Sequence, residues 1–328
     1  MNKNNKSAIT VLNWNGKKFL KDCLSAVYEQ TEKNFEVYFV DNGSTDGSIE
    51  FVKNNFPKTK IVSLDKNYGF AKGTNEGIKE AFKDKKVKYI ICLNNDTIVS
   101  KNWLKELVNT AQKDNKIGAV CSKSYFKDGK TIQNAGLIYT PAIGINKVGG
   151  ISLGYGFADK EAPELSKEIE IFAPGGIAPL YRRDVLEKIY QRDGEIFDED
   201  FFAYAEDLDL GFRIRKLGYK SVLSPKATLI HLHSQTGGVA SPFKAFYSER
   251  NSILTAIKNL SLKDLLLFPL RNIALKISYF FKKHESVESL KKEVGFIKMF
   301  LIVIKAHLSA IVLTPKMFVK RAKIKYKK

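Results

Sequence analysis

The sequence predicts an α/β fold, in which a mostly parallel sheet is flanked by helices and followed by a basic helical extension. Over roughly the first 100 residues, short apolar runs alternate with segments whose apolar residues recur at helical spacing. After Asn251 the composition changes to apolar residues interspersed with lysine. A chain of 328 residues, 44% hydrophobic and 27% charged, can bury such a core and retain an accessory element.

Strands and helices alternate through the first third of the chain. The predicted elements are strand 7–12, a helix over 19–27, strand 35–40, helix 48–54, strand 61–63, helix 73–82 and strand 88–93. The strands are continuous apolar runs, which are typical of a parallel sheet covered on both faces. Ligands bind at the carboxyl ends of strands in such sheets.

The second part of the chain gives a weaker pattern. Residues 131–171 contain glycine and proline with little periodicity, which predicts loops and irregular strands. Helices over 183–190 and 202–217 and a strand over 219–222 complete the predicted globular part. The three cysteines are far apart and show no CxxC spacing, so we expect reduced, structural thiols.

Three polar residues end the predicted strands: Asn13, Asp41 and Asp96. Asp41 is suited to accept hydrogen bonds from a base edge or a ribose hydroxyl, and Asp96 offers a carboxylate to Mg²⁺ or Mn²⁺. The segments that contain these residues, DNGS at Asp41 and NND at Asp96, are equally compatible with turns and helix caps, since Asp, Asn, Gly and Ser favour such positions.

Six acids are concentrated between Phe197 and Arg215 in an otherwise basic protein: Asp198, Glu199, Asp200, Glu206, Asp207 and Asp209. Crowding and burial raise the pKa of a carboxylate, which favours its use as a base. We expect Glu206 and Asp207 to be functional, whereas Asp198–Asp200 fit a helix N-terminus with acids complementing its dipole. His231 is a candidate metal ligand, although a lone histidine beside a strand is more often a packed residue.

The extension carries most of the net charge of +19, with 17 lysine and arginine residues against 4 acids between 251 and 328. Its longest apolar stretch, 299–313, is interrupted by Lys305 and His307 and is shorter than the roughly 20 residues that span a bilayer. The polar N-terminus shows no signal peptide. These features predict a cytoplasmic protein whose amphipathic tail lies on an anionic membrane surface. The alternative is a helical extension packed on the catalytic domain, with a solvated basic face.

The motifs in this order resemble those of glycosyltransferase family 2, and especially its bacterial rhamnosyltransferase-like members. The resemblance covers about residues 9–251. It rests on TVLNWNGKKFL, VDNGSTDGS, KNYGFAKGTNEGI, LNNDTIV, PLYRRDVLEK, FDEDFFAYAEDLDLGFRIRKLGYK, HLHSQTGG and SERNSIL. It implies the GT-A fold over residues 1–250, with a nucleotide-sugar half at about 1–100 and an acceptor half at about 101–250, followed by the tail at 251–328.

The resemblance also implies roles for individual residues. The implied assignments are donor binding for Asn13, Asp41, Asn75, Asn95 and Arg250, metal binding for Asp96 and His231, acceptor-side positions for Gly175 and Gly176, and catalysis for Asp207 as base with Glu206 beside it. The metal-binding DxD motif of the family is here Asn94-Asn95-Asp96, so its first acid is an amide.

The implied activity is a metal-assisted, inverting transfer of sugar from a UDP- or dTDP-sugar to a cell-surface glycan or lipid-linked acceptor, with Mg²⁺ or Mn²⁺. Such an acceptor would suit a protein peripheral at the inner face of the plasma membrane. Two other functions stay open. Nucleotidyl transfer on a similar scaffold is disfavoured by the lack of a Gly-rich triphosphate loop. RNA binding through the tail is disfavoured because the chain lacks a recognisable RNA-binding module and carries acids at 198–209, so no nucleic-acid partner is expected.

Overall fold

A mixed, mostly parallel sheet organises the computed structural model, which describes residues 6–139, 151–153, 155–232, 241–281 and 291–326. The strands are β1 Lys6–Asn13, β2 Phe35–Asn42, β3 Lys60–Leu64, β4 Val87–Asn94, β5 Thr97–Val99, β6 Ile117–Tyr125, β7 Ile132–Asn134, β8 Leu137–Ile138, β9 Ile151–Ser152, β10 Glu170–Ile171, β11 Leu180–Arg182 and β12 Lys220–His231. The helices are α1 Lys17–Tyr28, α2 Ser48–Asn55, α3 Gly69–Phe82, α4 Trp103–Gln112, α5 Arg183–Asp193, α6 Glu206–Lys216, α7 Pro242–Asn259, α8 Leu262–Phe281 and α9 Phe296–Tyr326.

The strand order brings several strand ends to one edge of the sheet. The order is β10-β12-β6-β11-β4-β1-β2-β3, with β5 beside β12 and β7 beside β6. Pairing is parallel among β1, β2, β3 and β4 and between β6 and β12, while β11 runs antiparallel between β4 and β6. Therefore the carboxyl ends of β1, β2, β4 and β12 and the residues that precede β11 share an edge.

Helices cover both faces of the sheet, as the continuous apolar strands predict. Alternate residues of β1 point to opposite faces, with Ile9 and Val11 packing in one core cluster and Ala8 in the other. Helices α1, α2 and α4 cover the first face, and α3, α5 and α6 cover the second. Cys23, Cys92 and Cys121 are buried and form no disulfide, as expected.

The predicted strand–helix alternation is confirmed, with differences at element boundaries. Helix α3 begins at Gly69 rather than at 73. The last predicted strand, 219–222, is the start of the 12-residue β12. Residues 131–171 hold only short strands and 3-10 turns among their described positions.

The largest difference concerns the helix predicted over 202–217, which begins only at Glu206. Residues Phe202, Tyr204 and Ala205 have positive φ angles of 63°, 71° and 66°, which a right-handed helix does not allow. We call residues 198–205 the acidic turn. Its local sequence has helical periodicity, but contacts from α7 hold the backbone in another conformation.

The apolar segment of the extension is longer than the stretch 299–313 that the sequence analysis identifies. Helix α9 continues past Leu313, and its Phe296–Ile324 portion is long and apolar enough, by length and composition alone, to cross a membrane. The predicted interruptions do not end the helix. Lys305 is exposed, and the His307 Nε2 lies 3.5 Å from Glu249 Oε1 on α7.

Helix α9 also packs against the globular part. Ala310 and Met317 are buried in a cluster with Phe201 of the acidic turn and Leu254 and Ile257 of α7. The opposite side of α9 leaves large apolar side chains exposed, including Leu308 at 59% and Ile311 at 65%. Helix α7 itself runs across position 250, where the sequence analysis places the end of the catalytic domain.

Candidate active site

Side chains from the ends of three neighbouring strands form a hydrogen-bonded group. Asn13 donates from Nδ2 to Asp41 Oδ1 at 3.2 Å and to Ser44 Oγ at 3.1 Å. Asn95 donates from Nδ2 to Asn13 Oδ1 at 2.6 Å. Asp41 is almost fully buried, and its second oxygen accepts from the Ser44 backbone N–H at 2.9 Å. The structure thus brings the predicted donor-binding residues Asn13, Asp41 and Asn95 together.

Glycine is required where α1 approaches this group. A Cβ added to Gly16 would lie 2.0 Å from Asn95 Nδ2 and 2.6 Å from Asn13 Oδ1. Neither polar group can retreat without losing its hydrogen bond, so a larger residue at position 16 would break the group apart. The NWNG sequence therefore carries a steric constraint in addition to its turn chemistry.

Asn42 was missed by the sequence analysis. Its amide donates to Asn67 Oδ1 and to the Gly69 carbonyl, both at 3.0 Å, and its oxygen accepts from the Tyr68 N–H at 3.0 Å. It therefore fixes the loop that leads into α3. The position directly after Asp41, at the same strand end, was the available signal.

Asn75 lies elsewhere than the donor-loop prediction suggests, on the buried side of α3. Its Nδ2 donates to the Phe197 carbonyl and its Oδ1 accepts from the Phe197 N–H, both at 2.8 Å. Nδ2 also lies 3.2 Å from Glu199 Oε1. Asn75 thus holds the segment that precedes the acidic turn.

Asp96 and His231 meet at the same sheet edge, because His231 ends β12 and pairs with Thr97 of β5. The His231 Nε2 lies 3.0 Å from Asp96 Oδ1, and its Nδ1 lies 2.7 Å from Gln133 Oε1. When Nδ1 donates to Gln133, the Nε2 lone pair faces the carboxylate, and a proton or a cation between them would relieve that contact. His233, the neighbouring histidine, lies outside the described residues.

This pair fits a cation that the substrate completes rather than a closed protein cage. Within the described ranges, no group of three histidine, cysteine or acidic side chains converges as a metal site. Mg²⁺ and related ions commonly bind one or two carboxylates together with substrate phosphates and water. Asp96 and His231 are therefore the residues that would hold Mg²⁺ or Mn²⁺ here.

Asp207 lies at the start of α6 and faces the residues that precede β11. The Gly176 N–H donates to Asp207 Oδ2 at 2.9 Å, and the next residue, Ile177, accepts from the Asn94 N–H through its carbonyl at 3.0 Å. Two hydrogen bonds therefore connect Asp207 to the end of β4, next to Asn95 and Asp96.

Gly176 and Gly175 differ in the space around them, since a Cβ would make ordinary contacts at Gly176 and would be crowded at Gly175. A Cβ on Gly176 would lie 3.4 Å from Asp207 Oδ2 and 3.6 Å from Glu206 Oε1, so this position borders both acids. A Cβ on Gly175 would lie 2.6 Å from Asn134 Oδ1, which is too close for any side chain.

Burial gives Glu206 and Asp207 unusual protonation behaviour. Desolvation by burial, with the charge of Asp207 as a second cause, raises the pKa of Glu206 well above its usual range. Burial also raises the pKa of Asp207, while the Leu208 and Gly176 N–H groups oppose that rise. Burial and the neighbouring charge thus both favour the neutral form of Glu206, whereas two backbone N–H groups favour the charged form of Asp207. Glu206 Oε2 is buried without a hydrogen-bond partner in the part of the chain described.

Arg250 and Asn251 of α7 hold the acidic turn in place. The Arg250 Nη2 donates to the carbonyls of Asp200 and Phe201 at 2.7 and 2.9 Å. Asn251 Nδ2 lies 2.9, 2.8 and 2.7 Å from the carbonyls of Phe201, Ala203 and Tyr204. These bonds explain how three positive φ angles persist, and they place the Arg250 guanidinium on the backbone of the acidic turn. Asn251 has no predicted role, although it follows Arg250 in SERNSIL.

Comparison with known proteins agrees with this architecture. The profile of Glycosyl transferase family 2 matches residues 8–190, more than half of the chain. Poly-beta-1,6-N-acetyl-D-glucosamine synthase of Staphylococcus epidermidis is 25% identical over 69% of this chain and 49% of its own length. An N-acetylglucosaminyl-diphospho-decaprenol L-rhamnosyltransferase of Mycobacterium tuberculosis is 25% identical over 67% of this chain and 73% of its own length.

The chain spans only part of some relatives, including 16% of the O-antigen biosynthesis protein RfbC of Myxococcus xanthus, with which it shares 28% identity over 66% of its own residues. Among solved structures, residues 1–349 of S. aureus TarS in complex with UDP-GlcNAc match with a TM-score of 0.59 at 17% identity, covering 97% of this chain and 88% of that one. The predicted GT-A-like fold is therefore confirmed. The matching profile, the relatives and the fold together show that the chain belongs to glycosyl transferase family 2.

Proposed function

We propose that this glycosyltransferase moves a sugar from a nucleoside-diphosphate sugar to a hydroxyl of a surface glycan or lipid-linked acceptor, with inversion at the anomeric carbon. The observation that carries the proposal is the position of Asp207. A partly buried carboxylate whose pKa is raised by desolvation is connected through Gly176 and Ile177 to the strand end that bears Asn95 and Asp96. A base next to a donor site is what a single displacement needs.

In the proposed reaction, the acceptor oxygen forms a bond to the anomeric carbon as the bond from that carbon to the diphosphate breaks. Asp207 takes the hydroxyl proton, and the electron pair of the broken bond leaves with the nucleoside diphosphate. Glu206, protonated beside Asp207, is suited to donate a hydrogen bond and adds no second negative charge. Gly175 and Gly176 leave the acceptor side of this centre open.

The donor would bind along the strand ends. Asn13 and Asp41 present fixed polar atoms to the nucleoside, and Asn95 is held between them and the proposed metal pair. Mg²⁺ or Mn²⁺, held by Asp96 and His231, would neutralise the charge of the diphosphate as it leaves. We propose that Asn75 and Arg250 support the donor site through the backbone segments that they hold.

The relatives support the proposed substrate class. One relative is a synthase of poly-beta-1,6-N-acetyl-D-glucosamine, and another is an N-acetylglucosaminyl-diphospho-decaprenol L-rhamnosyltransferase. One solved neighbour contains UDP-GlcNAc, and another, GalNAc-T7, contains UDP and Mn²⁺. These support a nucleoside-diphosphate sugar as donor, which we propose to be a UDP- or dTDP-sugar, with a cell-envelope acceptor. The exposed apolar side of α9, in a basic tail, supports a peripheral position on the inner face of the plasma membrane.

A donor panel tests the proposal. UDP-, dTDP- and GDP-sugars are incubated with the full chain and Mn²⁺ or Mg²⁺, and the released product is identified by chromatography and ³¹P NMR. Release of nucleoside diphosphate from one donor class is expected, even as slow hydrolysis without acceptor. Release of pyrophosphate from a nucleoside triphosphate and sugar phosphate would instead identify a nucleotidyltransferase, and no turnover or binding of any donor would contradict the proposal.

A further inference from the structure

A buried network of charges lies beneath the acidic turn and has no part in the proposed chemistry. Asp198, Asp209 and Arg213 are fully buried, and Lys258 is 2% exposed. Lys258 Nζ lies 2.6 Å from Asp198 Oδ2 and 2.9 Å from Asp209 Oδ2, and Arg213 Nε lies 2.8 Å from Asp209 Oδ2. Removal of one partner from such a network leaves an uncompensated buried charge.

Lys320 of α9 completes this network from the far end of the chain. Its Nζ lies 2.5 Å from Glu195 Oε1 and 2.7 Å from Asp200 Oδ2, and it also donates to the carboxylate of Asp198. The Lys320 ammonium group is therefore shared by three carboxylates, that of Glu195 just before the acidic turn and those of Asp198 and Asp200 at its start. Although burial opposes it, these charges hold the pKa of Lys320 above its usual range, so the group stays charged.

The ion pair that Lys316 of α9 makes nearby is more exposed to solvent than those of Lys320. Lys316 reaches only Asp200, at 2.6 Å, and its side chain is 58% exposed. Surface ion pairs of this type contribute little to stability. Lys323 is exposed on the same helix and serves as a position at which charge can be removed without touching the acidic turn.

The acidic turn connects this network to the base. Its residues Phe202, Tyr204 and Ala205 lie between Asp200 and the start of α6, and a positive φ at a non-glycine residue is a strained conformation that persists only where surrounding contacts hold it. The Phe202 carbonyl accepts from the Ala71 N–H at 3.1 Å, so the turn also touches the start of α3. Such a backbone keeps its shape only while it is held at both ends.

We infer that Lys320 is a positioning residue for Asp207, because it clamps Glu195, Asp198 and Asp200 and so fixes the start of the acidic turn from which the base projects. Helix α9 is then part of the active centre, and its exposed apolar side and Lys320 belong to the same helix. This inference rests on the proposed role of Asp207.

The test compares Lys320→Met, Lys320→Arg and the matched control Lys323→Met in the full-length protein. We expect Lys320→Met to lower kcat on the order of 10²-fold, as misplacement of a catalytic group does, with donor Kd changed less than threefold. Lys320→Arg should recover kcat to within a few-fold, because guanidinium can bridge the same carboxylates. Hydrogen exchange of the backbone amides of residues 199–207 should accelerate in Lys320→Met alone.

Two results of this comparison would overturn the inference, and the exchange measurement separates it from a failure of the proposed function. A kcat in Lys320→Met equal to that of Lys323→Met shows that the clamp does not position the base. Loss of kcat together with donor affinity, with faster exchange throughout the domain, shows a role in stability only. If the wild-type protein neither transfers nor hydrolyses any donor, the proposed function fails. Hydrogen exchange of the backbone amides of residues 199–207 in Lys320→Met then decides whether Lys320 holds the acidic turn. Faster exchange confined to that segment supports this role, and unchanged or uniformly faster exchange contradicts it.

Discussion

Glu206 and Asp207 are adjacent acids, but their surroundings give them different roles. Asp207 accepts the Gly176 and Leu208 N–H groups, which favour its charged form, whereas Glu206 Oε2 is buried and Glu206 has the charge of Asp207 beside it. These surroundings support the proposal that Asp207, rather than Glu206, is the base. The family resemblance ranks Asp207 as the base, and the structure adds that Asp207 is the acid that meets Gly176, which spacing along the chain does not reveal.

The pair makes a prediction that separates the two acids. Glu206→Gln should retain transfer within about tenfold, because glutamine resembles the protonated acid, whereas Asp207→Asn should lose roughly 10²- to 10⁴-fold, the usual contribution of a general base. The comparison is made by initial rates at saturating donor. Equal losses in the two variants would contradict the assignment of Asp207 as the base.

The pH dependence follows from the direction of the same shift. A base works only when it is deprotonated, and burial raises the pKa of Asp207, so kcat should fall on the acid side at a pH above the ordinary aspartate range. The acid limb should remain in Glu206→Gln, since Asp207 still titrates there. A kcat profile that stays flat down to the ordinary range would show that Asp207 is not the titrating group.

At the scale of elements, the packing of α3 on the sheet depends on glycines. A Cβ on Gly77 would lie 2.6 Å from Val40 Cγ2 and 3.3 Å from Thr10 Cβ, inside the buried interface with β1 and β2. Helix α3 also carries Asn75, which holds Phe197. The close approach of α3 therefore sets both the strand ends and the segment before the acidic turn.

Gly77→Ala should destabilise the protein although alanine favours the helix by about 1 kcal/mol. Overpacking of a tight core typically costs about 1–3 kcal/mol, and here the contact is with a fully buried strand side chain. Chemical denaturation measures the change in the free energy of unfolding, with Lys53→Ala on the exposed side of α2 as control. A stabilised Gly77→Ala protein would mean that α3 lies farther from the sheet than described.

At the scale of the molecule, α9 has two sides with different tasks. One side packs on α7 and the acidic turn, and the other leaves apolar groups exposed among basic residues. The packing of α9 on the globular part agrees with one of the two sequence-based alternatives, and its exposed apolar side leaves the membrane-facing alternative as a prediction.

Liposome binding tests that side. The full-length protein should co-sediment with vesicles rich in anionic lipid, more weakly at high salt, and Leu308→Asp/Ile311→Asp should bind at least tenfold more weakly, since full burial of each such side chain contributes about 1.5–3 kcal/mol. Phe157→Asp, at a position 55% exposed on the globular part, is the control. Equal binding of all three proteins would remove the membrane role of α9.

The sequence predicted those features of the fold that depend on residues close together in the chain. The apolar runs and the polar strand ends are encoded by neighbouring residues, so the alternation of strands and helices and the group around Asn13 and Asp41 followed from the sequence. The acidic turn did not, because its left-handed residues are held by Asn251, nearly 50 residues away, and its start by Lys320. Hydrogen bonds and ion pairs from distant residues override the helical pattern here, and the spacing of neighbouring residues does not reveal them.

The most direct test of the account separates donor binding from transfer. Calorimetry with the nucleotide sugar from the donor panel is run with and without Mn²⁺ on wild-type protein, Asp96→Ala and Asp207→Asn, alongside the transfer assay. Asp96→Ala should lose the Mn²⁺-dependent part of donor binding, and Asp207→Asn should bind donor like wild type and fail to transfer. Wild-type transfer by Asp207→Asn, or unchanged Mn²⁺-dependent binding by Asp96→Ala, would contradict the proposed site.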